Sequence, residues 1–242
     1  MSSLETRKIE PQSSTTVTLG EAGDTVAVPA GAVVKTNTVK DSGGNTLWTS
    51  DGAGTLSSVN SAIAGSMTFI SSQTASSSSM VNFTSGIDST YDEYQFVFVN
   101  CQPATDGVDF SFQGSTDGGS NYNTTITSTF FEAYHGEADN GAALIYLASN
   151  DQAQGTGYQS LTQTTGSEAD QSCSGTLHLF APSSTTYVKQ FYSRVNESDS
   201  ANFTVDCYAA GYFNTTSAIN AISFKFDSGN INDGTVYMYG IK

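Results

Sequence analysis

Two histidines and three cysteines are the scarce reactive groups of this chain, set among 23 Asp and Glu residues. The spacing closest to a metal ligand set is His135 with Glu137 and Asp139, in His-Gly-Glu-Ala-Asp. A transition metal needs three or four such groups converging, and this run reads better as a solvated loop. Asp117 with Asn121 and Asn123 supplies oxygen ligands of the kind a calcium loop uses. It lacks the terminal bidentate glutamate that completes an EF-hand. No serine lies in a G-x-S-x-G elbow, so a hydrolase triad has no sequence support. Glycan cleavage would require a general acid and a second carboxylate about 5–10 Å apart, and sequence alone brings no two acids that close. Cys101, Cys173 and Cys207 are odd in number, widely spaced and without a C-x-x-C, which makes buried free thiols the expectation rather than disulfides. The expectation is a chain with no catalytic residue, no metal and no cofactor.

The elements that would position any such group are strands. Hydrophobic residues make up 37% of the 242, below the globular average, while Ser, Thr, Asn and Gly abound. The 14 Phe and 12 Tyr still provide for a core, because each buried ring removes a large apolar area from water. The formal charge is −15, and no Lys or Arg occurs between Asp41 and Val188. A surface of that sign repels phosphate backbones and anionic bilayers, so neither nucleic acid nor a membrane surface is an expected partner. No run approaches the ~18 apolar residues of a spanning helix. The opening Met1–Lys8 has no apolar stretch behind it, so no signal peptide is expected.

Taken in order, residues 1–14 form a short arm in which Leu4, Arg7, Lys8 and Ile9 stand among acidic and polar neighbours, and docking of these four to a partner is the expectation. Residues 15–64 are a string of very short alternating runs (Val17 and Leu19, Val26 and Val28, Val39, Leu47 and Trp48) closed by Gly- and Asp-rich turns. Each run offers two or three apolar groups to a core, too few to stand alone. Copies wrapped around a common axis would complete the core, which predicts a homotrimeric shaft. The alternative is that these runs open an ordinary sandwich. Leu56, Val59 and Ile63 are spaced helically and predict one or two helical turns joining two domains.

From residue 65 the period is two. Glu93–Cys101 is apolar on both faces and predicts a central strand. Val108–Phe112 alternates, and Ser115–Asn121 has the composition of a hairpin turn. Further strands are expected through Ile241, the last two (Ile219–Phe226 and Thr235–Ile241) forming a hairpin. About ten strands with long loops predict an all-β fold: a short oligomeric shaft or small β domain followed by a jelly-roll-type β-sandwich over 65–242.

The arm SLETRKIEPQS, the following TTVTLGEAGDTVAVPAGA and the close TVYMYGIK resemble structural proteins, fibre-like or capsid-decorating, of marine tailed bacteriophages. The likeness is specific over the first sixty or so residues, while DGVDFSFQGSTDGGSNY and AGYFNTTSAINAI match in style. It implies a non-enzymatic virion component exposed on the particle surface, in contact with other capsid or tail proteins. Long tail fibres carry a large adaptor where this chain has a short arm, which favours a surface spike, head fibre or capsid decoration. The alternative is a tail-associated protein that binds a host surface glycan. Binding groups concentrate on loops, and Tyr122 and Tyr158, in the long polar loops, are the residues expected to stack on a sugar.

Overall fold

A computed structural model describes residues 30, 35–53, 56–59 and 66–242, so Leu4, Arg7, Lys8 and Ile9 and the runs at Val17 and Val26 lie outside the described residues. The chain divides after Ile63 into two compact units. In the first, β1 (Thr38–Lys40), β2 (Thr46–Ser50) and β3 (Leu56–Val59) form an antiparallel meander. The first turn is tied by Asp41, whose carboxylate accepts from the Asn45 backbone N–H at 2.8 Å and from its amide at 2.9 Å. Leu56–Val59 is a strand, not the helical turn its spacing predicts. Val59 pairs with Trp48 and Leu56 with Ser50, and two serines between them favour the available edge over a helix.

The second unit opens with β4 (Met67–Thr74), β5 (Val81–Phe83), β6 (Glu93–Pro103), β7 (Phe110–Ser115), β8 (Ile126–Gly136) and β9 (Ala142–Tyr146). After a single 3-10 turn at Ala148–Asn150 come β10 (Ala153–Gly155) and β11 (Gln159–Ser160). It ends with β12 (Cys173–Phe180), β13 (Lys189–Ser198), β14 (Phe203–Phe213), β15 (Ala221–Phe226) and β16 (Ile231–Ile241). Nine strands make one antiparallel sheet in the order β10-β8-β14-β13-β12-β6-β16-β4, with β9 on the free side of β8. Four make the other, β11-β7-β15-β5. The architecture is an all-β sandwich of unequal sheets.

Alternation builds the layer between them. On β13, Phe191 and Val195 point inward while Gln190, Tyr192, Arg194 and Asn196 point outward, and β6 turns Tyr94, Phe96 and Phe98 inward. Phe224 of the small sheet sits at the centre, with ring centroids 5.3 Å from Phe96, 5.1 Å from Phe98 and 6.0 Å from Phe110. Edge-to-face and stacked pairs at these distances add about 0.5–1.5 kcal/mol each beyond the area they bury. Gly114 takes an inward position on β7 because a Cβ there would stand 2.7 Å from the Phe213 ring. All three cysteines are buried free thiols. Cys101 and Cys173 lie opposite each other on β6 and β12.

Both expected hairpins are replaced by crossings between sheets. Ser115–Asn121 leads from β7 in the small sheet to β8 in the large one, and 227–230 leads from β15 to β16 in the same sense. The composition of a turn fixes that the chain reverses, not which sheet it re-enters. β6 does lie inside the large sheet, between β12 and β16.

Removing the Phe224 ring should leave a void that five neighbouring phenylalanines cannot collapse into. Phe224→Ala is expected to cost about 3–5 kcal/mol in urea unfolding. A loss below ~1 kcal/mol would contradict this packing.

Candidate functional site

Three surfaces hold the side chains from which function can be argued. The first is the outside of the small sheet, over which the loop following β9 folds back. Gln113, fully buried, donates its amide to the carbonyls of Thr156 at 3.2 Å and Gly157 at 2.6 Å. The Tyr158 hydroxyl hydrogen-bonds Ser223 Oγ at 3.1 Å, and Lys225 Nζ stands 4.5 Å from the centre of the Tyr158 ring. Tyr122 is half-buried, and its hydroxyl has no hydrogen-bond partner. Burial raises its pKa, and the nearby Tyr158 and Asp117 charges push the same way. The fold thus brings the two tyrosines named from the sequence together, half-buried and serving first to roof the sheet.

Asp117 is committed within its own loop. It accepts from Ser115 Oγ at 2.6 Å, from the Asn121 N–H at 2.9 Å and from the Asn121 amide at 2.7 Å. These bonds to the ionised form hold its pKa down at about 2. His135 pairs with Asp139 at 3.3 Å on an exposed turn. Among the described residues, no three His, Cys, Asp or Glu side chains converge as a metal site.

The second surface is a cavity of about 330 Å³ lined by Glu132, Tyr134, Gln163, Thr164, Asp199 and Phe203, with Ile145 and Val205. Alternation creates it: Glu132 on β8 follows Phe130, and Glu197 on β13 follows Val195, both at inward positions. Glu197 accepts from the N–H groups of Gln163 at 3.0 Å and Thr164 at 3.3 Å and from the Thr165 hydroxyl. Burial raises its pKa against those bonds. Glu132 is 3% exposed, and burial, helped by the charges of Glu197 and Asp199, raises its pKa to about 7. Turned with its nitrogen toward Glu132, the Gln163 amide donates to both carboxylate oxygens at 3.2 and 3.1 Å. Glu132 is therefore a carboxyl that holds or sheds a proton near neutrality, while Glu197 is anchored by the loop. Sequence reasoning missed both, although a glutamate in phase with inward phenylalanine or valine was the available signal.

The third surface is the outer face of the nine-stranded sheet. Strand register lays its side chains in rows, because directly paired residues project on the same side. One row runs Phe131, Tyr208, Arg194, Thr176, Val97 and Tyr237 from β8 to β16. The next runs Ala210, Tyr192, His178, Gln95, Tyr239 and Phe69 from β14 to β4. Rings pair along these rows: Phe131 on Tyr208 at 4.7 Å and 2°, His178 on Tyr192 at 4.5 Å and 13°, Phe69 edge-on to Tyr239 at 5.7 Å. Charges on the face are paired, Arg194 with Asp206 at 2.8 Å and His178 with Glu93.

Comparison with protein-family models, with curated proteins and with solved structures finds no match to the chain.

The buried acids fix a pH dependence. Asp109, which accepts from Ser160 Oγ at 2.9 Å, is likewise raised to about 7, mainly by burial. A carboxyl whose folded pKa exceeds its unfolded value binds its proton more tightly when folded, so stability falls as pH rises from about 4 to about 7. The thermal midpoint should be lower at pH 8 than at pH 5. Glu132→Gln should recover about 1–3 kcal/mol of that loss. A midpoint that rises over this range, with Glu132→Gln without effect, would contradict the assignment.

Proposed function

We propose that this chain is a non-enzymatic structural protein of a phage virion, an oligomeric spike, head fibre or capsid decoration at the particle surface. The observation that carries this reading is the open face of the large sheet. Eleven large apolar side chains stand exposed among the described residues, and seven of them (Met67, Phe69, Val99, Phe131, Leu144, Tyr146 and Tyr192) lie on that one face. Scattered exposed apolar groups need no explanation, whereas a shared face rimmed by polar residues marks a protein contact. The sequence likeness of the opening segment to phage structural proteins points the same way. In this reading the sandwich is wired as a jelly roll and residues 15–64 serve as the shaft of a homotrimer. Leu4, Arg7, Lys8 and Ile9 dock to other virion proteins. The proposal does not use Glu132 as a catalyst: its bonding partner is Gln163, and Glu197 is tied into the loop.

A second reading, a tail-associated protein that binds a neutral host glycan, draws on the adjacency of Tyr122 and Tyr158. The Tyr122 hydroxyl itself is buried, so the polar side chains of the loops that carry the two tyrosines supply the donors and acceptors suited to sugar hydroxyls.

Protein quantitation on purified particles of a phage encoding this chain separates the readings. Copy numbers in multiples set by the capsid lattice are expected. A few copies per tail, with Tyr122→Ala and Tyr158→Ala reducing adsorption, would favour the second reading. Absence from washed particles, or release of sugar fragments from host polysaccharide by the purified protein, would overturn the proposal.

A further inference from the structure

The outer face of the nine-stranded sheet has no cover within its own unit, and its chemistry restricts what can cover it. β6 is the clearest case. Its inner side chains are in the core, yet its outer ones include Gln95, Val97 and Val99, with Val99 40% exposed. A strand apolar on both sides is the mark of a sheet buried on both sides. Exposed valine on a central strand therefore asks for a second layer.

Size and charge point to one kind of occupant. Seven strands of eight to eleven residues side by side at ~4.8 Å, each about 30 Å long, give a face of about 1,000 Å². A stable protein interface takes about 800 Å² from each partner. The unit around the face is strongly acidic: residues 64–242 hold seventeen Asp and Glu against four Lys and Arg, a formal −13. The face departs from this, since its carboxylates Asp206 and Glu93 are engaged by Arg194 and His178. A basic partner would be drawn to the acidic flanks, while an equally acidic molecule can approach closely only through a region of little net charge. A second copy of this chain is such a molecule. Tyr, Phe, Met and Arg, which populate the face, are the residues that interface centres favour.

The ring geometry argues against a sugar at this place. A saccharide stacks on an open ring face, but Phe131 and Tyr208 lie parallel within 2°, and His178 covers one face of Tyr192. The Tyr208 ring also has the Arg194 guanidinium 5.4 Å from its centre. Rings already packed on one another in this way suit contact with other side chains better than with a sugar.

We infer that this face is the contact through which copies of the chain associate, sandwich against sandwich, with the Tyr192–His178 pair near its centre. The inference rests on the oligomeric part of the function proposed above and adds where the copies meet. It also moves the main contact away from residues 15–64.

The test is sedimentation of the full-length protein over a wide concentration range, alongside Tyr192→Asp, Phe131→Asp and Tyr187→Asp. Tyr187 is the control, exposed but outside the sheet. Wild type and Tyr187→Asp are expected to sediment as the same oligomer. Tyr192→Asp and Phe131→Asp should each weaken association at least ~100-fold while keeping a cooperative thermal transition. An oligomeric wild type whose two face variants dissociate no more readily would overturn this inference and leave the oligomer standing. A monomeric wild type at micromolar concentration would overturn both. Equal dissociation by Tyr187→Asp would show the effect to be unspecific and would also overturn it. If an aspartate variant fails to fold, Leu144→Ser, at a side chain 71% exposed, replaces it with the same two outcomes.

Discussion

The packing of the small sheet's phenylalanines against the large sheet is the interaction on which everything else in the sandwich depends. Phe224 touches rings from both sheets, and Phe112 reaches Phe191 at 5.0 Å and Phe213 at 6.0 Å. Each pair contributes a little, and the ring cluster together fixes the spacing and register of the two layers. Four strands, however, cannot cover nine. Beyond the reach of the small sheet, the inner side of β8 and β14 holds a separate small core of Phe130, Val205, Cys207 and Ala209. There the lid is the loop after β9, whose backbone N–H groups and Thr165 hydroxyl satisfy Glu197 and whose Gln163 amide satisfies Glu132. A buried carboxyl without such donors would cost several kcal/mol more than the sandwich could spare.

The two outer faces resolve the same geometric problem in different ways. The small sheet is roofed by its own chain, through Gln113, Tyr158 and Ser223, and even its outward serines are buried. The large sheet is not roofed within the unit. Its paired polar groups and packed rings suit an assembly contact, and they sit on a unit that is otherwise strongly acidic. In the proposed assembly, the acidity of the rest of the unit would favour self-association through this face.

Much of the fold was legible from period alone. The all-β class, the central position of β6, and strands near Met67, Ala142, Gly175 and Asn202 follow from alternation and turn composition. What was not legible depended on tertiary partners. Leu56 and Val59 are as compatible with a helix as with a strand until Trp48 is there to pair with. The turns at Ser115–Asn121 and 227–230 carry hairpin residues, yet the strands after them found longer partners in the other sheet. At the candidate sites, Tyr122 and Tyr158 were identified by type and loop position, and the fold set them together. Glu132 and Glu197 went unseen because two acids 65 positions apart reveal their proximity only through the register of β8, β14 and β13.

The claim that the outer face is covered in the working assembly can be read directly from tyrosine oxidation of the full-length protein by hydroxyl radicals. In a single copy Tyr187, Tyr146 and Tyr192 are 71%, 61% and 46% exposed. At a concentration where the protein is assembled, Tyr187 should be oxidised freely, while Tyr146 and Tyr192 are protected and regain reactivity on dilution. Oxidation of all three in proportion to their single-copy exposure at every concentration would contradict the account.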